Sequence, residues 1–264
     1  MTNEVSVQCE NGIAVVTMNR PEKLNALTTA GFIELTHTLR ELALDKGVAV
    51  VIVTGAGRAF CAGGDVSSMA ADTEFSESKL EGRAQALREA MDCARVLHDM
   101  PKPTIAMVRG AAAGAGLSIA LSCDLRVASA NARLVTAFKE VAYSGDFGGS
   151  YFLTKLVGPS KAKELYFLSE QLNAEQALKL GMVNLVVADS DLDVETRTIA
   201  GRLAAGPQIA YRYMKRNLNA AETLTLMEVM DLEAWHHTRC GMTEDHREGA
   251  RAFVEKRKAQ FKGR

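Results

Sequence analysis

No C-x-x-C pair occurs in this 264-residue chain, and its five cysteines, Cys9, Cys61, Cys93, Cys123 and Cys240, are odd in number. Free thiols in a reducing compartment are therefore expected, not a disulfide framework. Excess charge is missing too: 31 basic residues against 32 acidic ones leave a net charge of −1. No whole-protein field then recruits nucleic acid or an anionic membrane, and an anionic ligand has to be met by a local site. No apolar run reaches the roughly 20 residues of a membrane-spanning helix. The opening "MTNEVSVQCENG" has neither a basic region followed by an apolar core nor an Arg-rich amphipathic face, so no signal or transit peptide is expected. Among His37, His98, His236, His237 and His246 there is no i,i+4 zinc pair with a neighbouring glutamate, and no metal is expected. What is left is a cytoplasmic globular protein of ordinary composition, long enough for a full core.

Along the chain, "VSVQCENGIAVVTMNR" predicts a hairpin turning at Asn11-Gly12. "TTAGFIELTHTLRELALD" predicts a helix, with Phe32, Leu35, Leu39 and Leu42 on one face and Thr28 or Thr29 as cap. "VAVVIVTG" and "KPTIAMVRG" have the continuous apolar character of strands buried on both faces. A long helix is expected from Glu74 to His98, a small-residue helix over "AAAGAGLSIALSCD", and strands in "LRVASANARLVTAF". After "SKAKELYFLS" the pattern is mostly helical, with a short strand at "GMVNLVV". Alternating strands and helices define an α/β class.

Several motifs fail on inspection. Gly55 and Gly57 follow a strand, but Phe60 stands at the third glycine position and no acidic residue closes a following strand, which argues against a dinucleotide site. "GLSIA", Gly116 to Ala120, approaches a nucleophile elbow, yet Ser118 falls inside a helix instead of on a strained turn. Cys61 reads as a small filler, with no histidine beside it in sequence. Two loops resist the packing explanation together. "AFCAGGDVSSM" and "RGAAAGAGLSIALSCD" each follow a buried strand and are rich in glycine. If the strands are neighbours, two backbone amides converge on one point and form an oxyanion hole.

Those loops belong to a series. "NRPEKLNAL", "GRAFCAGGDV", "KPTIAMVRGAAAGAG", "CDLRVASANARL", "GDFGG", "SEQLNAEQALKLGMVNLVV" and "EGARAFVEKRKAQF" occur in this order over nearly the whole chain, which resembles the crotonase superfamily of enoyl-CoA hydratases and isomerases. The resemblance implies a spiral of β-β-α turns over residues 1–195, carrying the acyl-CoA site. It also implies a helical C-terminal region, residues 196–264, that assembles trimers or hexamers. The thioester oxygen would be held by the amides of Gly64 and Ala115, with Gly114 and Asp65 beside them. Lys23, Leu24 and Ala26 of the "RPEKLNA" turn, Ala62 and Val66 of the first loop, and Lys256 near the C-terminus would meet the CoA portion. No cofactor beyond the substrate's own coenzyme A is implied.

The chain departs from the family where the acids stand. Typical hydratases carry two glutamates; here Ser118 and Phe138 occupy those positions, and both are candidate substrate contacts. An aspartate in the glycine turn is the pattern of some enoyl- and dienoyl-CoA isomerases, and Asp146 of "VAYSGDFGGSYF" stands there, flanked by Tyr143, Phe147 and Tyr151. One carboxylate can remove a proton and return it elsewhere on the same face. The aromatic rings flanking it are expected to wall the acid and raise its pKa by desolvation. The expectation is double-bond isomerisation through Asp146. Two alternatives stand beside it: a hydratase, if Glu140 shares a strand face with Phe138, and an acyl-CoA-binding protein without catalysis.

Overall fold

The computed structural model describes residues 3–65 and 79–264. Strands β1 (Val5–Glu10) and β2 (Ile13–Met18) pair antiparallel about the Asn11-Gly12 turn. Both turn residues have positive φ, 51° and 77°, as a two-residue hairpin matching strand twist requires. Helix α1 (Thr29–Leu44) follows, its first turn capped by the Thr28 hydroxyl, which accepts from the Gly31 amide. Phe32, Leu35, Leu39 and Leu42 are its buried stripe.

Then come β3 (Val50–Gly55), α2 (Leu80–Ala90), α3 (Asp92–Asp99), β4 (Thr104–Val108), β5 (Ala111–Ala113) and α4 (Ala115–Ser122). After them run β6 (Leu125–Ser129), β7 (Arg133–Val135), α5 (Gly149–Val157), α6 (Pro159–Leu168), β8 (Leu172–Asn173), α7 (Ala174–Lys179) and β9 (Leu185–Val187). The chain ends in α8 (Leu192–Ala204), α9 (Gln208–Ala220), α10 (Leu226–Gly241) and α11 (Glu244–Val254). One sheet has the order β1-β2-β3-β4-β6-β9, and a smaller one the order β5-β7-β8. Single-residue bridges, Cys61 to Ala112 and Leu27 to Gly64, continue the small sheet's pairing into the earlier loops. Each turn of the chain thus adds a strand to the large sheet, then a short extended segment, then a helix. This is the expected β-β-α spiral, and the class is α/β.

The large sheet is covered on both faces. Val51 and Val53 of β3 join the main core with α1, α3 and α4. Their neighbours Val50 and Ile52 join a second cluster with Leu192 and Ala200 of α8. That is why β3 is apolar at successive positions.

Three local expectations are corrected. Of the helix expected from Glu74 to His98, residues 74–78 lie outside the described residues, and the rest is two helices that break at Met91. Met91 (φ −68°, ψ −10°) tightens the chain there, and the next residue, Asp92, is gripped by Arg95 at 2.6 Å and Arg40 at 2.5 Å. The "AAAGAG" run is not helical at its start. Ala111–Ala113 pairs with β7, Gly114 leaves helical space with φ 52° and ψ −124°, and the helix begins at Ala115. Residues Phe138–Val141 form a 3₁₀ turn, not a strand, between left-handed Ala137 and Ala142.

The expected boundary between residues 195 and 196 falls inside α8, the helix that packs on the sheet. Beyond it, Lys215 anchors α9: its ammonium donates to the Leu97 carbonyl (2.8 Å), the Lys102 carbonyl (3.2 Å) and the Asp124 carboxylate (2.8 Å). Among the described residues no helix is long and apolar enough to cross a membrane.

Candidate active site

Gly64 and Ala115 are brought together by the close approach of the two glycine-rich loops. A Cβ on Gly63 would lie 3.0 Å from the Ala113 carbonyl oxygen and 3.5 Å from the Ala115 nitrogen. Gly63 also takes φ +103°, which side chains rarely adopt. At Gly116 a Cβ would collide with the Cys61 carbonyl. A side chain at Gly116 has no room and one at Gly63 is crowded and strained, so the first loop and the start of α4 pack backbone to backbone.

The hydrogen-bond pattern frees both amides. Leu27 donates to the Gly63 carbonyl at 3.0 Å, and its own carbonyl accepts from the Asp65 amide at 3.0 Å. In such a parallel bridge the residue between, Gly64, turns its N–H away from Leu27. Ala115 opens α4, so no carbonyl one turn back can accept its N–H. Both residues line one cavity of about 290 Å³, together with Leu27, Phe32, Asp65, Asp146 and Phe147. Two amides facing a small, largely apolar space can stabilise an oxygen that gains negative charge.

Asp146 is the acid in that cavity. Its Oδ1 is buried and has no hydrogen-bond partner among the described residues. Burial pushes the carboxyl pKa up to about 6, because water no longer solvates the charged form. An orphan oxygen with such a pKa can hold a proton or release one near neutrality.

Of its sequence neighbours, Phe147 is buried in the cavity wall with its ring centroid 4.4 Å from that of Phe32. Tyr143 and Tyr151 do not wall the acid: both are exposed, and Tyr151 bonds Glu222 instead. Glu140 lies outside the cavity. It is exposed and pairs with Lys139 at 3.4 Å, since the 3₁₀ turn carries it off the Phe138 face.

The other expected residues fall in distinct places. Asp65 lines the cavity but is held by Arg20 at 3.0 Å. Leu24, in left-handed conformation at φ 52°, accepts from the Ala62 amide at 2.9 Å. That bond lays the turn carrying Lys23 and Ala26 along the first loop. Val66 lies outside the described residues. Ser118 is buried beneath the glycine turn, its hydroxyl donating to the Gly114 carbonyl at 3.2 Å. Phe138 is buried and stacks on Tyr166 at 5.7 Å. Lys256, just past α11, is exposed and lines none of this cavity. Cys61 is fully buried, donates to the Asn25 carbonyl at 3.1 Å and is pushed up to about 12, as an inert filler should be.

Three residues that matter here escape notice in the sequence. Arg20 ties Asp65 to the turn, donating also to the Ala26 carbonyl at 2.7 Å. Asn25 is wholly buried; its amide donates to the Ala56 and Ala59 carbonyls at 2.9 and 2.7 Å, and its oxygen accepts from the Arg20 amide at 3.0 Å. The asparagine in "KLNAL" was the one available signal, since asparagine tolerates left-handed turns. Tyr166 gave no signal, lying within the apolar positions of α6.

Fold and cavity together define a crotonase-type enzyme scaffold. The family model described as "Enoyl-CoA hydratase/isomerase" matches residues 8–264, and the chain belongs to that family. It is 36% identical over 255 residues, 97% of each chain, to the 1,2-epoxyphenylacetyl-CoA isomerase of Escherichia coli. It is also 36% identical over 264 residues, 99% of each chain, to the short-chain-enoyl-CoA hydratase of Clostridium acetobutylicum. The crystal structure of an enoyl-CoA hydratase from a Polaromonas species superposes with a TM-score of 0.92 at 32% identity, covering 98% of this chain and 99% of that one.

Proposed function

We propose that this enzyme shifts a carbon–carbon double bond in an acyl-CoA thioester, with Asp146 as the single proton carrier. The observation that carries the proposal is the lone, unpartnered Asp146 oxygen in the cavity shared with Gly64 and Ala115. The carboxylate takes a proton from the carbon beside the thioester carbonyl. The C–H electron pair moves into the carbonyl, leaving a conjugated enolate with its charge on oxygen. The Gly64 and Ala115 amides donate to that oxygen, and losing one such donor typically costs about 10²–10³ in rate. The new carboxylic acid returns the proton two carbons further along, and Asp146 is ionised again. No electrons or water enter or leave. Hydration would need a second group to activate water, and Glu140 points elsewhere.

Around this core the remaining assignments follow the same reading. Lys23, Leu24, Ala26 and Ala62 run along the CoA arm, and Lys256 meets phosphate. Asp65 acts through Arg20, while Ser118 and Phe138 back the acyl end. The substrate's coenzyme A is the only cofactor-like group. Five cysteines without a disulfide among the described residues suit a cytoplasmic compartment.

The test is turnover of 3-enoyl-, 2-enoyl- and ring-bearing CoA thioesters by wild type, Asp146→Asn and Glu140→Gln. Wild type should move the double bond without incorporating solvent oxygen. Asp146→Asn should abolish turnover and keep acyl-CoA affinity within a few-fold, because amide and acid have nearly one shape. Glu140→Gln should be mild. Retention of most activity in Asp146→Asn, or a comparable collapse in Glu140→Gln, overturns the assignment.

A further inference from the structure

The glycine turn that carries Asp146 is folded around the tip of one side chain, Tyr166 of α6. A Cβ on Gly145 would lie 2.9 Å from the Tyr166 ring and 3.3 Å from its hydroxyl. A Cβ on Gly149 would lie 2.7 Å from the same hydroxyl and would collide with Ser118 Oγ. The two glycines bracketing Asp146 thus leave room for a phenol between them. The ring is fixed from behind by Phe138, stacked at 5.7 Å and 14°, and α6 is held to the core through Ala162 and Leu165.

Two hydroxyls pack against this turn. That of Ser118 is spent on the Gly114 carbonyl. That of Tyr166, on a half-buried side chain, lies against the same turn, and Asp146 Oδ1 is buried without a donor among the described residues. A partly buried phenol usually finds a partner, and a buried carboxylate oxygen without a donor on the same turn is its natural complement. Burial and the nearby Asp146 charge push the phenol up to about 12, so it stays a donor throughout the working pH range. The other ionisable groups at this cavity are Asp65 on the first loop, tied to Arg20, and Arg83 on α2. Toward it α1 presents Thr29 and Phe32, and α4 presents Ala115.

We propose that Tyr166 is a positioning residue for Asp146: Oδ1 takes no hydrogen bond among the described residues, and on ionising the carboxylate turns to accept from the phenol held beside it, which keeps it in the cavity shared with Gly64 and Ala115. Phe138 then has a use in place of the missing acid, as the plate that keeps the phenol still. The inference rests on Asp146 being the proton carrier.

The experiment is the pH dependence of kcat/KM for Tyr166→Phe, using whichever thioester the wild type isomerises. The substitution keeps the ring, the Phe138 stack and the turn, and removes one O–H. A donor to the charged form lowers a carboxyl pKa, so its loss should move the acid limb up by about one pH unit. At pH 5 kcat/KM should then fall about tenfold relative to wild type, with a smaller loss at pH 8 and KM little changed. An acid limb at the wild-type pH overturns the inference. So does an equal loss at every pH with a lowered melting temperature, which marks a purely structural role. Asp146→Asn is measured alongside. If it stays active, the proton-carrier reading has failed; if it is dead while Tyr166→Phe leaves the limb in place, only the present inference has failed.

Discussion

Arg20 and Asp65, 45 residues apart, meet at 3.0 Å and tie the turn after β2 to the loop that carries Gly64. The guanidinium also donates to the Ala26 carbonyl and lies 3.7 Å from Glu4, whose carboxylate accepts from the Thr28 amide and hydroxyl, both at 3.0 Å. One cation therefore sets the spacing between the expected CoA turn, the cap of α1 and the first of the two free amides.

Replacing Arg20 with Met should loosen that spacing while keeping an unbranched, apolar stem in its place. Hydrogen bonds to charged groups contribute about 1.5–3 kcal/mol each, and the pair is shielded from solvent. We expect kcat/KM for an acyl-CoA to fall by about 10- to 100-fold, with both KM and kcat affected because Gly64 moves. Steady-state kinetics check this, with the melting curve showing that the variant is folded. Kinetics like those of wild type would mean that the pair is decoration.

Asp146 makes a second prediction, about stability instead of rate. Its carboxyl pKa is raised from 3.8 to about 6 by burial, so the folded state binds this proton more tightly than the unfolded chain does. The contribution to stability is fully present below about pH 4 and is lost as pH rises through about 6. At pH 8 the ionised group strains the fold by about 1–3 kcal/mol, allowing for its partial exposure. Asp146→Asn, which removes activity, should therefore be more stable than wild type at pH 8, and equally stable near pH 4. Denaturant melts at the two pH values decide it. A destabilised variant at pH 8 would show that the ionised carboxylate gains more from its surroundings than burial costs it.

How much of this was legible beforehand depended on the range of the interaction. The hairpin at Asn11-Gly12, the Thr28 cap and the buried β3 run are set by neighbours in the chain, and local pattern was enough. Gly64, Ala115 and Asp146 came from the order of motifs, since nothing local says that residues 64, 115 and 146 share a cavity. The failures have one cause. The strand at Ala111–Ala113, the break at Met91 and the 3₁₀ turn at Phe138 are imposed by partners far along the chain: Cys61 and β7, Arg40, and Tyr166. Alanine-rich or mixed segments have no periodicity strong enough to resist such partners. Arg20 and Tyr166 were invisible for the same reason, because each acts on a residue dozens of positions away or across a turn.

The last prediction concerns assembly. In the single chain Trp235 is 78% exposed and Phe253 86%, and Met227, Met230 and Leu226 are exposed on α10. Side chains of this size contribute several kcal/mol in all when removed from water, and so many large apolar side chains exposed on one helical region point to a contact. The resemblance to the family implies a three-fold interface built by the C-terminal helices, and closed symmetry suits a surface repeated on each copy. Light scattering should give three or six times the 28.5 kDa chain. The double variant Trp235→Lys, Phe253→Lys should lower that mass and, if Lys256 meets CoA only in the assembly, raise KM for acyl-CoA more than it lowers kcat. A wild-type monomer with full activity would remove the basis for the interface.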